Sequence, residues 1–328
     1  PYRNLAMEEY MTLHVPQGTC ILYLWQNRHT VVIGKNQNCW RECRVNFLEQ
    51  ENGYLVRRLS GGGAVFHDLG NLNFTFIVGA GDYDVSRQLD VILEAVRSLG
   101  IHAEKTGRND ITVDGRKFSG NAFYRTGDGC YHHGTILIRA DKENMSRYLN
   151  VSKEKLASKG VTSVKSRVAN LCEFKPDITL EEVKSALVEA FSKVYGQPAV
   201  RMEEGELPQP DIDARTEKFA SWQWKYGRKI PFEYEMEKRF PWGNIQIQFH
   251  VDEGMIQDVN VFSDAMDQEM IGMLAEQLKG CAYAEEDICR AVKAVGTDAF
   301  QAGEYTGADE PQSCRIKEDI MTLVRESL

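Results

Sequence analysis

The sequence predicts an α+β protein in which a large sheet-containing domain precedes a small α+β domain. The chain has 328 residues, which is long for a single hydrophobic core and favours two domains. Strand-like and helix-like segments are interspersed up to the stretch SWQWKYGRK. Beyond it, strands are predicted over 231–262 and helices over 267–328, with polar breaks around 301–312. We therefore predict a first domain over 1–228, a linker over 229–241 and a second domain over 242–328.

The first domain opens with a helix and two strands. The stretch NLAMEEYMTLHV predicts a helix with Asn4 as its N-cap. TCILYLWQ and HTVVIGK predict two strands joined by a short polar turn. DVSRQLDVILEAVRSLG predicts the most periodic helix, and Gly100 can end it because glycine accepts a left-handed cap conformation. The apolar residues of this helix share one face: Val85, Leu89, Ile92, Val96 and Leu99.

Turn and cap signals organise the rest of the chain. ITVDGRKFSG predicts a hairpin with Asp114–Gly115 as its two-residue turn, and YHHGTILI predicts a further strand. TLEEVKSALVEAFSKVYG predicts a helix with a capping box made by Thr179 and Glu182, ending at Gly196. In the second domain, a turn at Asp252–Gly254 is predicted to separate two strands.

Composition and charge exclude several classes of protein. Hydrophobic and charged contents of 42% and 27% are typical of a soluble globular protein, and no apolar run approaches the roughly 20 residues of a membrane helix. The net charge of −9 argues against a nucleic-acid binder. Eight cysteines without a CxxC pair predict reduced thiols, no zinc site and a cytoplasmic location. Since the sequence begins at Pro1 rather than Met, we expect residues to be missing before it.

Three glycines in a row interrupt a strand-like region in VRRLSGGGAVFHDLGNLNF, which runs from Val56 to Phe74. Such a run can be a loose turn, because glycine adopts positive φ at little cost. It can also let backbone N–H groups approach an anion that side chains would keep away. The pattern of strand, glycines and strand matches neither the nucleotide phosphate loop nor the dinucleotide-binding motif.

A second unusual stretch follows the predicted hairpin. Lys117 precedes Ser119, Gly120 and Ala122, whose side chains are small or absent. An isolated lysine of this kind is usually solvated, but beside small residues it can hold an anion at the end of a ligand slot. Asp110 can be a turn residue, or it can anchor this lysine or a metal–nucleotide.

Two histidines lie beside glycine-containing strands, namely His67 and His133. A lone histidine is more often structural than functional. Both histidines become candidates for binding when they are considered together with the glycine run and Lys117.

Taken together, these segments resemble the lipoate–protein ligase family. The stretch RRLSGGGAVFHDLGN is the most specific, and it is joined by TGRNDI, KFSGNA, HHGTILI, KGVTSVKSRVANL, NLAMEEY and VVIGKNQN. The resemblance covers Asn4 to about Tyr226 and continues more weakly to the C-terminus, as in the long, two-domain form of the ligase. It implies a mixed-sheet catalytic domain of the biotin/lipoate ligase type with a small α+β C-terminal domain.

The resemblance implies that Lys117 is the essential catalytic lysine, which touches both lipoate and nucleotide. A fixed ammonium could hold two mutually repelling anions together while the α-phosphoryl group is attacked. We predict that ATP and the adenylate are bound by Arg58, Gly63, Ala64, Val65, Phe66, Asp110 and Lys117. We predict that lipoate is bound by Ser60, Gly61, Gly62, His67, Lys117, Ser119, Gly120, Ala122 and His133. No fixed metal is expected, since Mg²⁺ would arrive with ATP.

The implied activity has two steps. Lipoate attacks Mg-ATP to give lipoyl-AMP and pyrophosphate, and a lysine of an acceptor lipoyl domain then displaces AMP. The implied acceptors are 2-oxoacid dehydrogenase subunits and the glycine cleavage H protein. Asp110 and His133 are candidate bases for the acceptor amine, whose unperturbed pKa is about 10.4. Two departures from the family are the absence of a strand before the NLA helix and Leu59 at a position that often carries a small polar residue.

Two alternatives remain open from the sequence. An octanoyl- or lipoyl-transferase of the same fold would need no ATP and would use a cysteine nucleophile. The segment 131–171 contains no cysteine, although Cys130 and Cys172 flank it. A non-catalytic lipoate or adenylate sensor is the other alternative, and it would not need a lysine that brings two anions together.

One segment is locally basic in this acidic protein. NVSKEKLASKGVTSVKSRVANL, from Asn150 to Leu171, contains four lysines and one arginine against a single glutamate. In similar ligases the matching segment folds over the adenylate. We predict that it covers the AMP phosphate and presents positive charge to an acidic acceptor domain.

Overall fold

The structure, a computed structural model, describes residues 1–106, 110–150, 168–296 and 312–328. The chain divides into two compact units. The first comprises Pro1–Val32, Arg41–Arg57 and Val65–Lys225, and the second comprises Ile33–Trp40, Arg58–Ala64 and Tyr226–Leu328. The arginine–glycine loop therefore belongs to the second unit, although the strands on either side of it belong to the first. The domain boundaries predicted above stay a prediction.

Nine strands of the described chain belong to the first part of the fold: β1 (Cys20–Trp25), β2 (Thr30–Ile33), β3 (Tyr54–Arg57), β4 (Val65–His67), β5 (Asn71–Gly79), β6 (Glu104–Thr106), β7 (Asp110–Val113), β8 (Arg116–Thr126) and β9 (Gly129–Leu137). A large sheet has the order β1-β5-β9-β8-β7-β6 with antiparallel pairs, and a small sheet has the order β3-β2-β4. A parallel bridge joins Lys117 to Val168. The predicted hairpin is confirmed, since Asp114 and Gly115 have φ values of 49° and 72° between β7 and β8.

Helices pack on the large sheet and share a hydrophobic core with its strands. The helices described in this part of the chain are α1 (Tyr2–His14), α2 (Cys39–Glu42), α3 (Val45–Gln50), α4 (Val85–Ser98), α5 (Lys142–Tyr148), α6 (Leu180–Tyr195), α7 (Gln209–Ala220) and α8 (Trp222–Tyr226). The predicted apolar face of α4 is confirmed and packs with α6 and strand residues in one hydrophobic cluster. The predicted capping box of α6 is also confirmed, and Gly196 ends that helix with a φ of 70°.

The predicted N-cap of α1 is wrong. The helix begins at Tyr2, so Asn4 lies inside its first turns. The Asn4 side chain instead donates to the carbonyl oxygen of Gln26 at 2.8 Å and to Asn27 Oδ1 at 2.9 Å. These bonds tie α1 to the turn after β1, and a partner 22 residues away cannot be read from a local capping pattern.

The second unit is a small α+β structure. Its elements within the described residues are β10 (Tyr234–Phe240), β11 (Gly243–Asp252), β12 (Met255–Ser263), α9 (Gln268–Leu278), α10 (Glu285–Ala294) and α11 (Gln312–Ser327). The three strands pair in the order β10-β11-β12, and the helices share a hydrophobic cluster with them. The predicted turn is confirmed, since Glu253 and Gly254 have φ values of 49° and 75°. Residues 234–240 lie in the predicted linker and form β10, whereas most of the polar break predicted at 301–312 lies outside the described residues.

Candidate active site

Lys117 and Asp110 form an ion pair at one end of the large sheet. The Lys117 Nζ lies 2.5 Å from Asp110 Oδ1, and the two side chains are 22% and 18% exposed. The partial burial matters because a charge pair with little access to water interacts more strongly than one on the surface. The carbonyl oxygen of Lys117 also accepts a hydrogen bond from the Ala169 N–H at 2.9 Å, which holds the strand at this residue.

Gly120 makes room for the lysine side chain. A Cβ atom placed on Gly120 would lie 2.6 Å from both Cε and Nζ of Lys117. The ammonium group therefore rests directly over bare backbone. The expectation that the small residues after Lys117 form the wall of a ligand slot stays a prediction.

A β-bulge places Lys117 and Gly120 on the same side of the sheet. Residues three apart in a regular strand point to opposite faces. Between β7 and β8, however, Ile111 pairs with Ser119 whereas Thr112 pairs with Lys117, so that Phe118 is the extra residue. The bulge shifts the alternation by one position, and the lysine consequently lies over Gly120.

The next residues of β8 contribute to both faces of the sheet. Ser119 is fully buried, and its Oγ has no hydrogen-bond partner within the described residues. Ala122 is buried and pairs with His133 of β9. The predicted role of Ser119 and Ala122 in binding lipoate stays a prediction.

His133 is held by a buried carboxylate from α1. Its Nδ1 lies 2.8 Å from Glu8 Oε1, and that oxygen also accepts a hydrogen bond from Thr75 Oγ1 at 2.7 Å. The Trp25 indole in turn donates to Thr75 Oγ1 at 3.0 Å. This network fixes the ring orientation of His133 beneath α1, since Nδ1 is engaged by Glu8.

His132 points away from this network and is neutral. Complete burial, with a smaller contribution from the nearby His133, lowers the pKa of His132 to about 3. Its Nε2 lies 2.8 Å from Asn121 Oδ1 and its Nδ1 lies 3.1 Å from Gln88 Oε1. A neutral ring has one N–H, so both contacts are satisfied if the Gln88 amide is turned to donate to Nδ1. His132 thereby ties α4 to β8 and β9.

The predicted residues of β4 lie in the first unit. Phe66 and His67 are buried, and Val65 is half-buried. His67 Nδ1 lies 3.3 Å from Asn27 Nδ2, and its ring meets that of Trp25 edge-on at 6.2 Å. Phe66 stacks on Tyr148 of α5 at 5.3 Å.

Arg58 organises the glycine loop from within. Its guanidinium group donates to Ser60 Oγ at 3.0 Å and to the carbonyl oxygens of Gly61 and Gly63 at 2.7 and 2.9 Å. Ser60 is fully buried, whereas Gly63 and the following Ala64 are half-buried. The loop carbonyls consequently face the arginine.

The loop glycines pack against the backbone that follows β12. The Gly62 N–H donates to the Ala265 carbonyl oxygen at 3.0 Å, and Gly62 has a φ of 87°. A Cβ on Gly61 would lie 2.5 Å from the Ala265 oxygen and 2.6 Å from the Met266 oxygen. The absence of side chains in the glycine run therefore lets the loop backbone lie close to the backbone of Ala265 and Met266 in this structure. The Gly62 N–H is already hydrogen-bonded to a protein carbonyl oxygen. Framing of a ligand anion by Gly61–Gly63 stays a prediction.

Arg57, the first arginine of the pair, has a structural role. Its Nε and Nη2 donate to the carbonyl oxygens of Trp224 and Lys225 at 2.9 and 2.8 Å, and the Trp224 indole donates back to the Arg57 carbonyl at 2.8 Å. The two adjacent arginines thus do different things. Arg57 fastens α8 to the end of β3, and Arg58 shapes the loop.

None of the cysteines takes part in a disulfide, and all eight lie within the described residues. Cys130 is buried, and burial raises the pKa of its thiol above the usual value. Such a thiol is a poor nucleophile because the thiolate is disfavoured. Cys172 is half-buried, and its N–H donates to the Ile138 carbonyl at 3.0 Å. Within the described ranges there is also no group of three or more His, Cys, Asp or Glu side chains that could hold a metal ion.

The predicted site residues are divided between the two units. The first-unit group comprises Val65, Phe66, His67, Asp110, Lys117, Ser119, Gly120, Ala122 and His133. The second-unit group comprises Arg58, Ser60, Gly61, Gly62, Gly63 and Ala64. Most of the basic segment, residues 151–167, lies outside the described residues, as do residues 107–109 before Asp110.

Comparison with known families accounts for most of the chain. The model of the lipoyl protein ligase A/B catalytic domain matches residues 1–192. The chain belongs to the lipoate–protein ligase family. The model of the bacterial lipoate protein ligase C-terminus matches residues 229–307 of this ligase.

Solved structures of similar ligases agree with this assignment. LipL1 of P. falciparum in complex with lipoate is 30% identical, with 98% of this chain and 96% of that chain covered and a TM-score of 0.81. A bipartite lipoate protein ligase of Thermoplasma acidophilum, described with its E2 lipoyl domain, is 27% identical over 70% of this chain and 93% of that chain, with a TM-score of 0.61. A lipoate-protein ligase A bound with ATP is 25% identical over 69% of this chain and 94% of that chain, also with a TM-score of 0.61. The predicted fold class is confirmed.

Several residues that hold the predicted ones in place were not predicted from the sequence of this ligase. They are Glu8, Trp25, Thr75, Arg57, Ala265 and Met266. The sequence does contain a pattern that points to Glu8. This acid lies three residues after Leu5 and four before Thr12, and so on the same helix face, which the structure shows to be buried. No sequence pattern points to Ala265 or Met266, since a close backbone contact depends on the neighbour's position and not on its side chain.

Proposed function

We propose that this ligase activates lipoate with ATP to form lipoyl-AMP and transfers the lipoyl group to a lysine of an acceptor lipoyl domain. The single observation that carries the proposal is the half-buried Lys117 ammonium, held by Asp110 over the bare backbone of Gly120. Lipoate and ATP are both anions, and a fixed cation can bring the carboxylate to the α-phosphorus and neutralise developing charge. Mg²⁺ would enter as part of the ATP complex.

The relatives support the choice of substrates. One similar ligase was solved with lipoate, another was solved with ATP, and a third was described together with an E2 lipoyl domain. By analogy, we propose lipoyl domains of 2-oxoacid dehydrogenase complexes and the glycine cleavage H protein as acceptors. Asp110 and His133 are the proposed bases for the acceptor amine, and the cytoplasm is the proposed compartment. No helix among the described residues is long and apolar enough to cross a membrane.

The ATP-independent transferase is less well supported. It needs a cysteine whose thiol pKa is depressed, but burial raises that of Cys130. Cys172 remains the thiol to test in the described chain. If a folded Cys172→Ser protein lost all acyl transfer, the transferase alternative would replace our proposal.

Pyrophosphate release tests the proposal directly. The purified chain is given ATP, Mg²⁺ and lipoate, with and without an acceptor domain. We expect pyrophosphate release that requires lipoate, and amide formation that requires both ATP and acceptor. Lys117→Ala should lower adenylation by about a hundred- to a thousandfold, the scale of losing an electrostatic group at the reacting centre.

Lys105→Ala is the matched control for this variant. Lys105 lies on β6 of the same sheet, is similarly exposed and pairs with Asp90 at 2.9 Å. It should keep wild-type adenylation, and both variants should melt close to the parent. Near-normal pyrophosphate release from folded Lys117→Ala would overturn the proposed role of this lysine. Acyl transfer without ATP would overturn the proposed reaction.

A further inference from the structure

One row of residues crosses the large sheet at the level of the lysine. Asn73 of β5 pairs with Thr135 of β9, and Asp110 of β7 pairs with Gly120 of β8. The Gly120 N–H points to Thr135 Oγ1 at a long 3.4 Å, which joins the two pairs into one row. The row therefore runs from Asn73 through Thr135 and Gly120 to Asp110. Neither Thr135 nor Asn73 is among the residues predicted to bind lipoate or ATP.

Thr135 and Lys117 flank the same point in space. A Cβ on Gly120 would lie 2.6 Å from Lys117 Nζ and 3.9 Å from Thr135 Oγ1. A threonine hydroxyl has one proton to donate and two lone pairs. Its oxygen takes the weak Gly120 contact, and no acceptor for its proton occurs among the described residues. An oxygen atom above Gly120 can consequently meet an ammonium from one side and a hydroxyl from the other.

Asn73 supplies an independent sign of an absent partner. It is 1% exposed, its Oδ1 accepts from Asn71 Nδ2 at 2.9 Å, and its Nδ2 has no partner in the described part of the chain. Turning both amides would reverse that bond and leave Asn73 Oδ1 unpaired instead, so a flip does not satisfy the residue. A buried polar atom without a partner costs about 1–3 kcal/mol, which a functional role would explain.

We propose that Thr135 is a substrate-binding residue that shares a carboxylate oxygen of the acyl substrate with Lys117, and that Asn73 is its positioning residue. This inference rests on the proposed function. Cross-strand neighbours of this kind have Cβ atoms about 4.5–5.5 Å apart, so a small rotation lets the Asn73 amide donate to Thr135 Oγ1. Together with the contact from the Gly120 N–H, that bond occupies both lone pairs of the Thr135 hydroxyl oxygen and directs its proton towards the carboxylate. Asn73 itself is a strand further from Gly120 and acts through Thr135.

Calorimetric titration of the full chain with lipoate tests the binding role. A hydrogen bond to a charged group contributes about 1.5–3 kcal/mol, so Thr135→Val should bind lipoate about 10- to 100-fold more weakly. Thr135→Ser keeps the hydroxyl and should stay within about threefold of wild type. Thr126→Val, at the far end of β8, is the control of matched chemistry and should bind as wild type. Lipoamide, which lacks the charge, should lose less affinity from Thr135→Val than lipoate does.

A double-mutant cycle tests the positioning role. Asn73→Leu should weaken lipoate binding by several-fold in the wild-type background and have no further effect in Thr135→Val. A merely structural asparagine would weaken both backgrounds equally, which would overturn its assignment. If folded Thr135→Val bound lipoate as tightly as wild type, the binding role would be overturned while the proposed function stood. If the wild-type chain bound no lipoate and released no pyrophosphate, the proposed function itself would fail.

Discussion

At the scale of single residues, the absence of a side chain at Gly120 decides where the lysine ammonium can lie. Gly120→Ala would place a methyl group 2.6 Å from Lys117 Cε and Nζ. The lysine end is flexible and can swing away, so the fold should be little affected. We expect adenylation, measured as pyrophosphate release, to fall by at least about tenfold because the ammonium leaves its position.

Gly272→Ala is the matched control for this change. Gly272 lies in α9, and a Cβ there meets nothing within 4 Å. That variant should keep full activity and melt at or slightly above the parent temperature, since alanine is the better helix former. Full adenylation by a folded Gly120→Ala protein would contradict the link between the bare backbone and the lysine position.

A second residue-scale consequence concerns pH and stability. His132 has a folded-state pKa of about 3 against a usual value of 6.5. Above pH 6.5 His132 is neutral in both the folded and the unfolded state. As pH falls from 6.5 towards 3, the unfolded chain binds a proton at His132 and the folded chain does not. The free energy of unfolding is therefore unaffected by His132 above pH 6.5 and falls on acidification by about 1.4 kcal/mol per pH unit.

Denaturant unfolding of the wild type and His132→Gln between pH 4 and 7 measures this effect. The variant cannot titrate at this position, so its free energy of unfolding should depend less on pH by about 2 kcal/mol between pH 7 and 5. His102→Gln, at an exposed histidine, should keep the wild-type slope. Identical slopes for all three proteins would show that His132 charges freely in the folded state.

At the scale of elements, Arg57 joins the end of one strand to a helix that follows much later in the chain. Arg57→Lys removes the guanidinium fork that reaches the Trp224 and Lys225 carbonyls, and a single ammonium cannot replace both bonds. We expect a loss of about 1–3 kcal/mol in the free energy of unfolding, with adenylation per folded molecule retained. Arg290→Lys changes an exposed arginine and should leave stability unchanged. A melting curve equal to wild type would contradict the structural role.

The contact between the glycine loop and the segment after β12 also belongs to this scale. Gly61→Ala would push a methyl group against two backbone carbonyls that cannot rotate away. The hydrogen bond from the Gly62 N–H to Ala265 should then open, and its amide should exchange with solvent at least about tenfold faster by hydrogen-exchange mass spectrometry. Gly296→Ala, where a Cβ meets nothing, should leave that exchange unchanged. Unchanged protection in Gly61→Ala would show that the loop tolerates a side chain.

At the scale of the whole molecule, the net charge of −9 disfavours encounter with an acidic partner unless positive charge is concentrated locally. We expect Lys153→Glu with Lys155→Glu to slow transfer to an acceptor domain by about tenfold at low ionic strength, and by less as salt rises. Adenylation without acceptor should be nearly intact. These two lysines lie outside the described residues, so the prediction depends on charge alone.

A charge-matched control separates local steering from net charge. Lys184→Glu with Lys193→Glu makes the same change in net charge on α6. It should leave low-salt transfer near the wild-type rate. Equal slowing by both double variants would indicate that total charge matters and that no local docking surface exists in the basic segment.

The fold of this molecule was far easier to predict than its site. Periodicity, the Asp114–Gly115 turn and the Thr179–Glu182 capping box are local patterns, and the structure confirms them. The partner of His133 is Glu8, 125 residues away, and no local pattern specifies such a contact. The Asn4 prediction failed for the same reason, since a capping residue and a residue bonded to a distant turn have the same chemistry.

The bulge in β8 has a consequence for how this protein could tolerate change. Because Phe118 is the extra residue, Lys117 and Gly120 occupy the positions of residues two apart in a regular strand. Deleting Phe118 would therefore remove the bulge at a cost in packing and keep Lys117 on the side of Gly120. Inserting one residue between Ser119 and Gly120 would instead turn Lys117 to the other side, while every amino acid of the site remained in the chain. Pyrophosphate release should survive the deletion in the folded protein and be lost in the insertion variant, and equal activity of the two variants would contradict this link between spacing and the site.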